Sequence, residues 1–250
     1  MCNKNDFNKQ LDQLNTSQKE IILETIRILS LPFEKNNLLY KDSIFNEKII
    51  GHLGDYLKIH HSFSKEPFTK DKFEFAMERI CNIRQIAAKL AKRGNPGHDI
   101  TINGIKVSLK TQAERSIKSD ELHISKFMEL GKGEWKFENL RNQFFKHLKN
   151  YELIYSLRCL SSDDEKEKGI WIYELVNIPK NLLLEAKKGN FRWAKSKTIP
   201  KSGYCDIIDT SKPDQIKYHL YFDGGGERKL QITHLKKIYC TLIAEWKFAI

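Results

Sequence analysis

Three side chains with complementary chemistry, Asp99, Ser108 and Lys110, occur in the short stretch NPGHDITINGIKVSLKTQ, residues 95–112. Hydrolysis of a phosphodiester needs a divalent cation that stabilises charge on the phosphate and lowers the pKa of a bound water. Mg²⁺ prefers oxygen ligands such as the carboxylate of Asp99, and the amine of Lys110 can orient the water and offset negative charge. This chemistry requires that the chain bring the three side chains to one place.

The Asn103-Gly104 pair provides the geometry, because it predicts a β-hairpin with a two-residue type I′ turn. In the resulting register Asp99 lies directly across from Ser108, with Cβ atoms roughly 4.5–5.5 Å apart. Lys110 points to the same face and is a diagonal neighbour of Asp99, at about 7–8 Å. The hairpin is therefore predicted to carry all three side chains on one polar face.

The other face of the hairpin is predicted to belong to the core. It carries Ile100, Ile102, Ile105, Val107 and Leu109. Alternation of this kind usually leaves the polar face in solvent. The tight turn at residues 95–98 argues against a solvated face. It fixes the path of the chain into Asp99, and a solvated strand has no need of such a fixed entry.

The composition predicts a globular protein that meets nucleic acid. With 250 residues, 40% hydrophobic and 11% aromatic, the chain can bury one sizeable core. The net charge of +11 fits a protein that contacts phosphate backbones, although a lysine-rich composition can also reflect the base composition of the source genome.

Other general features favour a soluble protein of the cytoplasm. No apolar run approaches the ~20 residues of a membrane span, and the first ten residues, MCNKNDFNKQ, contain no hydrophobic signal region. The five cysteines are far apart and form no C-x-x-C motif, so we interpret them as buried thiols.

The first part of the chain is predicted to be helical. Residues 17–20, SQKE, form a capping box that opens a helix ending before Pro32, and residues 43–62 repeat the helical pattern less regularly. Thr69 is expected to cap a third helix over residues 71–93. The hairpin follows this helix directly.

The second part of the chain is predicted to be richer in strands. Two further helices are expected near residues 122–130 and 137–149. Strand-like runs follow at residues 151–160, 169–178, 217–223, 227–235 and 236–248, with a hairpin turn at 224–226. We expect an α/β (α+β) fold in which a mixed central β-sheet is flanked by helices, formed by a single domain over residues 1–250.

With these elements placed, the hairpin resembles the PD-(D/E)xK nuclease core of many type II restriction endonucleases. The matching positions are Pro96, Asp99, Ser108 and Lys110, preceded by a glutamate-bearing helix, and the resemblance covers about residues 70–112. The mismatch-repair nicking enzymes of the MutH type share this core. The resemblance implies Mg²⁺-dependent hydrolysis of DNA, with Mn²⁺ as a possible substitute.

The resemblance also implies roles for individual residues. Asp99 would be the principal metal ligand, joined by the main-chain carbonyl of Leu109, and Lys110 would act on the attacking water. The position two before the lysine is usually Asp or Glu, but here it is Ser108, which supplies no charge. A glutamate elsewhere would then complete the site. The candidates are Glu74, Glu78, Glu114 and Glu121, and we favour Glu74.

Contacts to DNA are expected from two basic regions and from the end of the hairpin. The segment 187–201 mixes aromatic and basic residues, and a second group of donors flanks the glycine turn at 224–226. We place the recognition part at about 187–232. The candidate contacts are Gln112, Arg192, Lys195, Arg228, Lys229 and Gln231.

Three functions are compatible with these features. The favoured one is a homodimeric restriction endonuclease that cuts both strands of double-stranded DNA at a two-fold symmetric site. The second is a monomeric nicking nuclease of the repair type. The third is a DNA-binding protein on a nuclease scaffold that has lost catalysis, which Ser108 would explain.

Overall fold

The computed structural model describes residues 4–92, 94–95, 97–115, 117–131, 133–195 and 200–250. The α-helices are α1 (Lys4–Asp12), α2 (Thr16–Ser30), α3 (Glu47–His61), α4 (Asp71–Ile83), α5 (Phe137–Leu148), α6 (Asp163–Glu167) and α7 (Lys180–Leu184). The first strands are β1 (Phe33–Leu38), β2 (Ala88–Leu90), β3 (Ile100–Ile102), β4 (Ile105–Gln112), β5 (Glu121–Glu129) and β6 (Leu153–Cys159). The later strands are β7 (Ile170–Asn177), β8 (Asn190–Trp193), β9 (Gly203–Asp209), β10 (Lys212–Phe222), β11 (Lys229–Lys236) and β12 (Thr241–Ala249).

The strands form two sheets. A seven-stranded sheet has the order β1-β12-β7-β6-β4-β3-β2, and a five-stranded sheet has the order β5-β11-β10-β9-β8. The seven-stranded sheet is mixed, because β4 pairs with β6 in parallel while β3–β4 and β6–β7 are antiparallel. The predicted class, a mixed sheet flanked by helices, is confirmed.

Strand β6 shows how the layers are stacked. Tyr155 and Leu157 pack in the same apolar cluster as α3 and α4, whereas Ile154 packs with α5 and the inner side of the five-stranded sheet. Since side chains alternate along a strand, the seven-stranded sheet is covered on both faces. The polar face of β4 is covered as well, and Ser108 and Gln112 on it are buried.

The predicted hairpin is present with the predicted register. Asn103 and Gly104 have φ values of 47° and 81°, as the two positions of a type I′ turn require. Across the turn Ile102 pairs with Ile105, and Ile100 pairs with Val107. The apolar face of the hairpin lies in the core, as predicted.

The third predicted helix is shorter than expected. Helix α4 ends at Ile83, and residues 88–90 form strand β2 instead. Gln85 takes a positive φ of 60°, which ends the helix, and the Asn82 side-chain amide bonds both backbone groups of Ala88. The chain therefore turns back and becomes the edge of the sheet.

Both predicted helix caps are wrong in detail. The capping box of helix α2 lies two residues earlier than predicted, with Asn15 and not Ser17 as the capping residue. The Asn15 side chain accepts from the Gln18 backbone N–H, and the Gln18 side chain accepts from the Asn15 backbone N–H. Helix α4 begins at Asp71, after Lys70, without a side-chain cap.

The helix expected near 122–130 is strand β5, whereas the helix near 137–149 is confirmed as α5. The buried residues Leu122, Ile124 and Phe127 are not evenly alternating, because the pairing of β5 with β11 shifts register. This irregular spacing of apolar residues imitates a helical period.

The later predicted strands are confirmed. The predicted runs at 151–160 and 169–178 contain β6 and β7, and the later three overlap β10, β11 and β12 with shifted ends, since β10 begins at Lys212 and β12 only at Thr241. Residues 224–226 lie in the turn between β10 and β11. Strands β1, β8 and β9 were not predicted. Of the cysteines, Cys81, Cys159 and Cys205 are buried and Cys240 is partly buried, while Cys2 lies outside the described residues. Among the described helices, none is sufficiently long and apolar to cross a membrane.

A fully buried arginine joins the two sheets. Arg158 on β6 forms an ion pair with Glu174 on β7, and its Nε donates to Gln112 Oε1 at 2.8 Å. Its Nη2 donates to the backbone carbonyls of Lys118 and Glu121, each at 2.6 Å, at the start of β5. A buried charge is tolerated only when it is paired and hydrogen-bonded, and four of the five N–H groups of Arg158 donate in these contacts.

Removing this guanidinium should be costly. We expect Arg158→Ala to lower the free energy of unfolding by about 3–5 kcal/mol, because it removes one partner of a buried ion pair and leaves Gln112 Oε1 and two backbone carbonyls without this donor. Lys237, which pairs with Glu174 at 2.9 Å, is still present in the variant. Arg27→Ala is the matched control, since Arg27 pairs with Glu24 on the exposed side of α2 and should leave the unfolding midpoint unchanged. Urea unfolding followed by circular dichroism measures both, and equal midpoints for the two variants would contradict this role of Arg158.

Candidate active site

The carboxylate of Asp99 is held at the side of strand β4. Its Oδ2 accepts the backbone N–H of Leu109 at 2.7 Å and the Ser108 hydroxyl at 3.1 Å, and it lies 3.6 Å from Lys110 Nζ. The structure thus brings Asp99, Ser108 and Lys110 together as the hairpin register predicts. Pro96, which belongs to the resembled motif, lies outside the described residues.

These residues open into a cleft of about 530 Å³ between the two sheets. Asp99 and Lys110 form one wall, Glu74 at the start of α4 lies beside them, and residues 124–129 of β5 form the opposite wall. The side chains of Asp99 and Lys110 are 26% and 16% exposed, so both can reach the cleft while most of their surface is desolvated.

Of the two glutamates on α4, the structure brings only Glu74 to this cleft. Burial and the negative charge of nearby Asp99 raise the pKa of Glu74 to about 7, against the opposing effect of Lys110. Glu78, one turn later, faces strand β2 instead, where its Oε1 accepts the backbone N–H of Leu90 at 2.9 Å.

The two downstream glutamates are engaged elsewhere. Glu114 contacts His123 at 3.2 Å. Glu121 bonds Lys236 and His234 of β11, and these hydrogen bonds lower the pKa of Glu121 to about 2 despite its burial. Neither carboxylate is among the residues that line the cleft.

The sequence analysis did not predict three residues that line the cleft, which are Lys70, Thr111 and Lys126. Lys70 precedes α4 with a φ of 43°, a conformation that L-residues rarely adopt, and its backbone N–H donates to Thr111 Oγ1 at 3.2 Å. This contact ties the start of the Glu74 helix to the residue after Lys110. Lys126 lies in the cleft wall formed by β5. A correct strand prediction for 121–129 would have suggested Lys126, but no sequence pattern signals the backbone of Lys70.

Comparison with known proteins gives the family. A family model described as SmaI, type II site-specific deoxyribonuclease, matches residues 10–248 of the chain. The chain belongs to this family. The type II restriction enzyme SmaI of Serratia marcescens is 42% identical to it over 238 residues, which cover 94% of this chain and 93% of that enzyme. No solved structure matches the chain significantly.

The chain is therefore a type II restriction endonuclease, a hydrolase that cleaves DNA at specific sites, as the resemblance implied. Of the three functions considered, the restriction endonuclease is supported over repair-type nicking and over a scaffold that has lost catalysis. The family match itself assigns no individual residue, so the roles of the cleft residues rest on their geometry.

The five-stranded sheet of this endonuclease turns a polar side outward, which we call the outer face. Along β11, Leu230 and Ile232 are buried in the core, so Lys229 and Gln231 point the other way. The residues defining the outer face are His123 on β5, Lys229 and Gln231 on β11, His219 and Tyr221 on β10, Tyr204 and Asp206 on β9, and Arg192 on β8.

The outer face collects three of the residues predicted to contact DNA. Arg192 lies 4.3 Å above the ring of Tyr204 and pairs with Asp206 at 2.9 Å, and Lys229 and Gln231 lie three strands away. Lys195 is exposed just after β8. Arg228 lies in the turn before β11, and its guanidinium lies over the ring of Trp135 at 5.5 Å from the ring centroid.

Gln112 does not present its amide to the surface, which corrects the expectation that it contacts DNA. It is only 4% exposed. Its Oε1 accepts from Arg158, and its Nε2 donates to Glu114 Oε1 at 2.9 Å. The physical reason is that this face of β4 is covered by the five-stranded sheet, so Gln112 acts inside the protein.

The raised pKa of Glu74 predicts that the stability of the metal-free protein, kept metal-free with EDTA, depends on pH. A carboxyl group whose folded-state pKa lies near 7 and whose unfolded value is 4.5 stabilises the fold fully below pH 4.5, and this contribution is lost as pH rises to 7. Glu74→Gln cannot ionise, so in EDTA it should be more stable than the parent enzyme at pH 8, by roughly 1–2 kcal/mol after allowing for solvent screening, and similar at pH 4.5.

Thermal unfolding at several pH values measures this difference. Glu78→Gln is the matched control, because its position faces β2, and it should show no pH-dependent gain in stability. If Glu74→Gln gains nothing between pH 4.5 and pH 8, Glu74 does not lie in the field of Asp99.

Proposed function

We propose that this endonuclease cleaves double-stranded DNA with Asp99, Glu74 and Lys110 as its catalytic residues and with Mg²⁺ as its cofactor, for which Mn²⁺ can substitute. The observation that carries the proposal is the fixed carboxylate of Asp99, held by the Leu109 N–H at 2.7 Å and facing Lys110 at 3.6 Å in the cleft. A carboxylate, an amine and a nearby second carboxylate in one cleft fit metal-assisted phosphodiester hydrolysis.

The donor set suits Mg²⁺. Within the described residues, no group of three or more His, Cys, Asp or Glu side chains could enclose an ion. Asp99 and Glu74, with the backbone carbonyl of Leu109, would supply a few hard oxygen donors. Mg²⁺ is commonly bound by one or two carboxylates and keeps several waters or substrate phosphate oxygens. Burial raises the pKa of Glu74 most, and repulsion from Asp99 adds to it. A bound cation would relieve this repulsion.

The residues of the chain divide the work as follows. Ser108 is fully buried and donates to Asp99, so it is a positioning residue and not a ligand. Lys110 can donate to the attacking water or to a phosphate oxygen, where its positive charge stabilises the developing negative charge. Bound Mg²⁺ would lower the pKa of the attacking water and neutralise charge on the phosphate.

The outer face is the proposed DNA-recognition surface. It adjoins the cleft, because β5 is both the edge strand of the five-stranded sheet and a wall of the cleft. Arg192, Lys195, Lys229 and Gln231 would contact phosphates and base edges there, and Arg228 would contact DNA at the adjoining turn. The recognition part, about 187–232, and the catalytic part, about 70–112, would then act within a single domain over 1–250.

We also propose that the enzyme works as a homodimer in the cytoplasm. The described residues provide one cleft of this kind, formed at one hairpin, whereas a double-strand cut needs two hydrolysed bonds. A two-fold symmetric dimer places one cleft on each strand of a symmetric site.

Cleavage of a plasmid tests the catalytic assignment. The enzyme should cut at discrete positions with Mg²⁺ or Mn²⁺ and not with EDTA. Asp99→Asn and Lys110→Ala should fold and bind DNA but cut more slowly by several orders of magnitude, because each removes one charge at the reacting phosphate.

The same digest, together with gel filtration, tests the role of Lys110 and the dimer. A dimer should convert a single-site plasmid from supercoiled to linear with little nicked circle and should elute in gel filtration with the mass of two chains. Undiminished cutting by Lys110→Ala would remove Lys110 from the site, and accumulation of nicked circles by a single-chain species would refute the dimer.

The recognition surface is tested by the salt dependence of DNA binding. Each phosphate contact contributes about 0.9 to the slope of log affinity against log salt. Arg192→Ala with Lys195→Ala should therefore reduce that slope by about 1–2 and weaken binding to all sequences. Lys35→Ala with Lys247→Ala, at the far edge of the seven-stranded sheet, should not. Equal slopes for both double variants would contradict the surface.

A further inference from the structure

A chain of hydrogen-bonded side chains leads from the catalytic strand to the outer face. Glu114, just beyond the end of β4, contacts His123 Nδ1 at 3.2 Å through its Oε1. The other ring nitrogen, His123 Nε2, lies 3.1 Å from Gln231 Oε1. His123 thus bridges a carboxylate next to the catalytic strand and an amide on the outer face.

The inner end of this chain is rigidly held. Gln112, which lies on β4 two residues after Lys110, donates from its Nε2 to Glu114 Oε1 at 2.9 Å. Gln112 is itself fixed by the buried guanidinium of Arg158 at 2.8 Å, and its Oε1 also accepts the backbone N–H of His123 at 3.3 Å. The carboxylate of Glu114 is therefore positioned by the same strand that carries Lys110.

The outer end of the chain is an amide with unused hydrogen-bonding capacity. Gln231 accepts from His123 and donates from its Nε2 to Asp223 Oδ2 at 3.4 Å. A glutamine amide has two N–H donors and two oxygen lone pairs, so one donor and one acceptor remain beyond these two contacts. Such a pair, held in one orientation on a sheet face, can discriminate the edge of a base.

The two neighbours of His123 define its charge. Both ring nitrogens face oxygen acceptors, the Glu114 carboxylate and Gln231 Oε1, and only the imidazolium can donate to both. The hydrogen bond to Glu114 raises the pKa of His123, burial opposes this, and the bond to Gln231 adds to it. Lys229 on β11 is the positive group that acts against the charged form.

We propose that Gln231 is a specificity-determining residue that contacts a base edge, and that the Glu114–His123 pair is the positioning device that fixes the orientation of its amide. This inference rests on the proposed recognition surface. When His123 loses its proton, Nε2 turns from a donor into an acceptor facing Gln231 Oε1. The hydrogen bond that holds the amide is then lost. Rotation of the amide would restore it but would turn the amide oxygen toward the Asp223 carboxylate, so neither orientation satisfies both neighbours and the donor and acceptor offered to DNA are no longer fixed.

The experiment is a competition between sites. The cutting site is first mapped from the ends of the discrete plasmid fragments. A duplex with that site then competes with duplexes that each carry one changed base pair, and the ratio of kcat/KM values is measured from pH 6 to pH 9. Because both duplexes meet the same cleft, effects of pH on the metal and on Lys110 cancel in the ratio.

For at least one base-pair position, the discrimination ratio should fall as pH passes the pKa of His123, by roughly 5- to 150-fold if one bidentate contact is lost. Glu114→Gln should move the fall to lower pH, and Glu114→Asp should restore part of the shift. Gln231→Ala should have a low ratio for that position at every pH, without inflection. NMR titration of the His123 ring should show the same displacement in Glu114→Gln.

His234→Gln is the control. His234 lies on β11, the strand of Gln231, and like His123 it contacts a carboxylate, that of Glu121, but it is not part of the hydrogen-bonded chain from Glu114 to Gln231. It should leave the pH profile of discrimination unchanged. Full discrimination by Gln231→Ala, or an unshifted profile in Glu114→Gln, would overturn the inference. If only the inference fails, Arg192→Ala with Lys195→Ala still reduces the salt slope. If the recognition surface fails, that double variant binds DNA like the parent enzyme.

Discussion

The architecture depends on how one buried guanidinium is satisfied. Arg158 lies where the seven-stranded sheet meets the five-stranded sheet, and its contacts reach Gln112 on β4, Glu174 on β7 and two backbone carbonyls at the start of β5. The desolvation of a charge in such a place is expensive unless the charge is paired and hydrogen-bonded, so the partners cannot move independently. The relative position of the catalytic strand and the strand that forms the opposite cleft wall is fixed by this requirement.

This constraint explains why the polar face of β4 differs from an ordinary solvated strand face. Ser108, Lys110 and Gln112 alternate along that face, and the first and last are buried under the second sheet. Only Lys110, between them, reaches the cleft. Lys110 lies between two buried positions of the strand, so its amine has little conformational freedom. A fixed amine can stabilise the charge on a phosphate without first having to be ordered.

The sequence predicted the parts that depend on local rules and missed those that depend on tertiary contacts. The Asn103-Gly104 turn fixed the register of Asp99 and Ser108, because a type I′ turn leaves little choice of backbone. Glu74 could be favoured over Glu78 only by resemblance, since helix rotation is not visible in the pattern, and the contact of Glu78 with Leu90 arises from the unpredicted strand β2. The bulged spacing of β5 was read as a helix, which hid one wall of the cleft and the position of His123.

The proposed catalytic cleft and the proposed recognition surface share their support. Strand β5 is at once a wall of the catalytic cleft and the edge of the outer face, and β4 carries Lys110 and, just beyond its end, the carboxylate that contacts His123. A displacement of either strand therefore changes both surfaces together, because packed polar groups have few alternative arrangements that keep all hydrogen bonds. In an enzyme that must cut only at its own site, such shared support gives a physical route by which an imperfect contact on the outer face disturbs the geometry around Asp99.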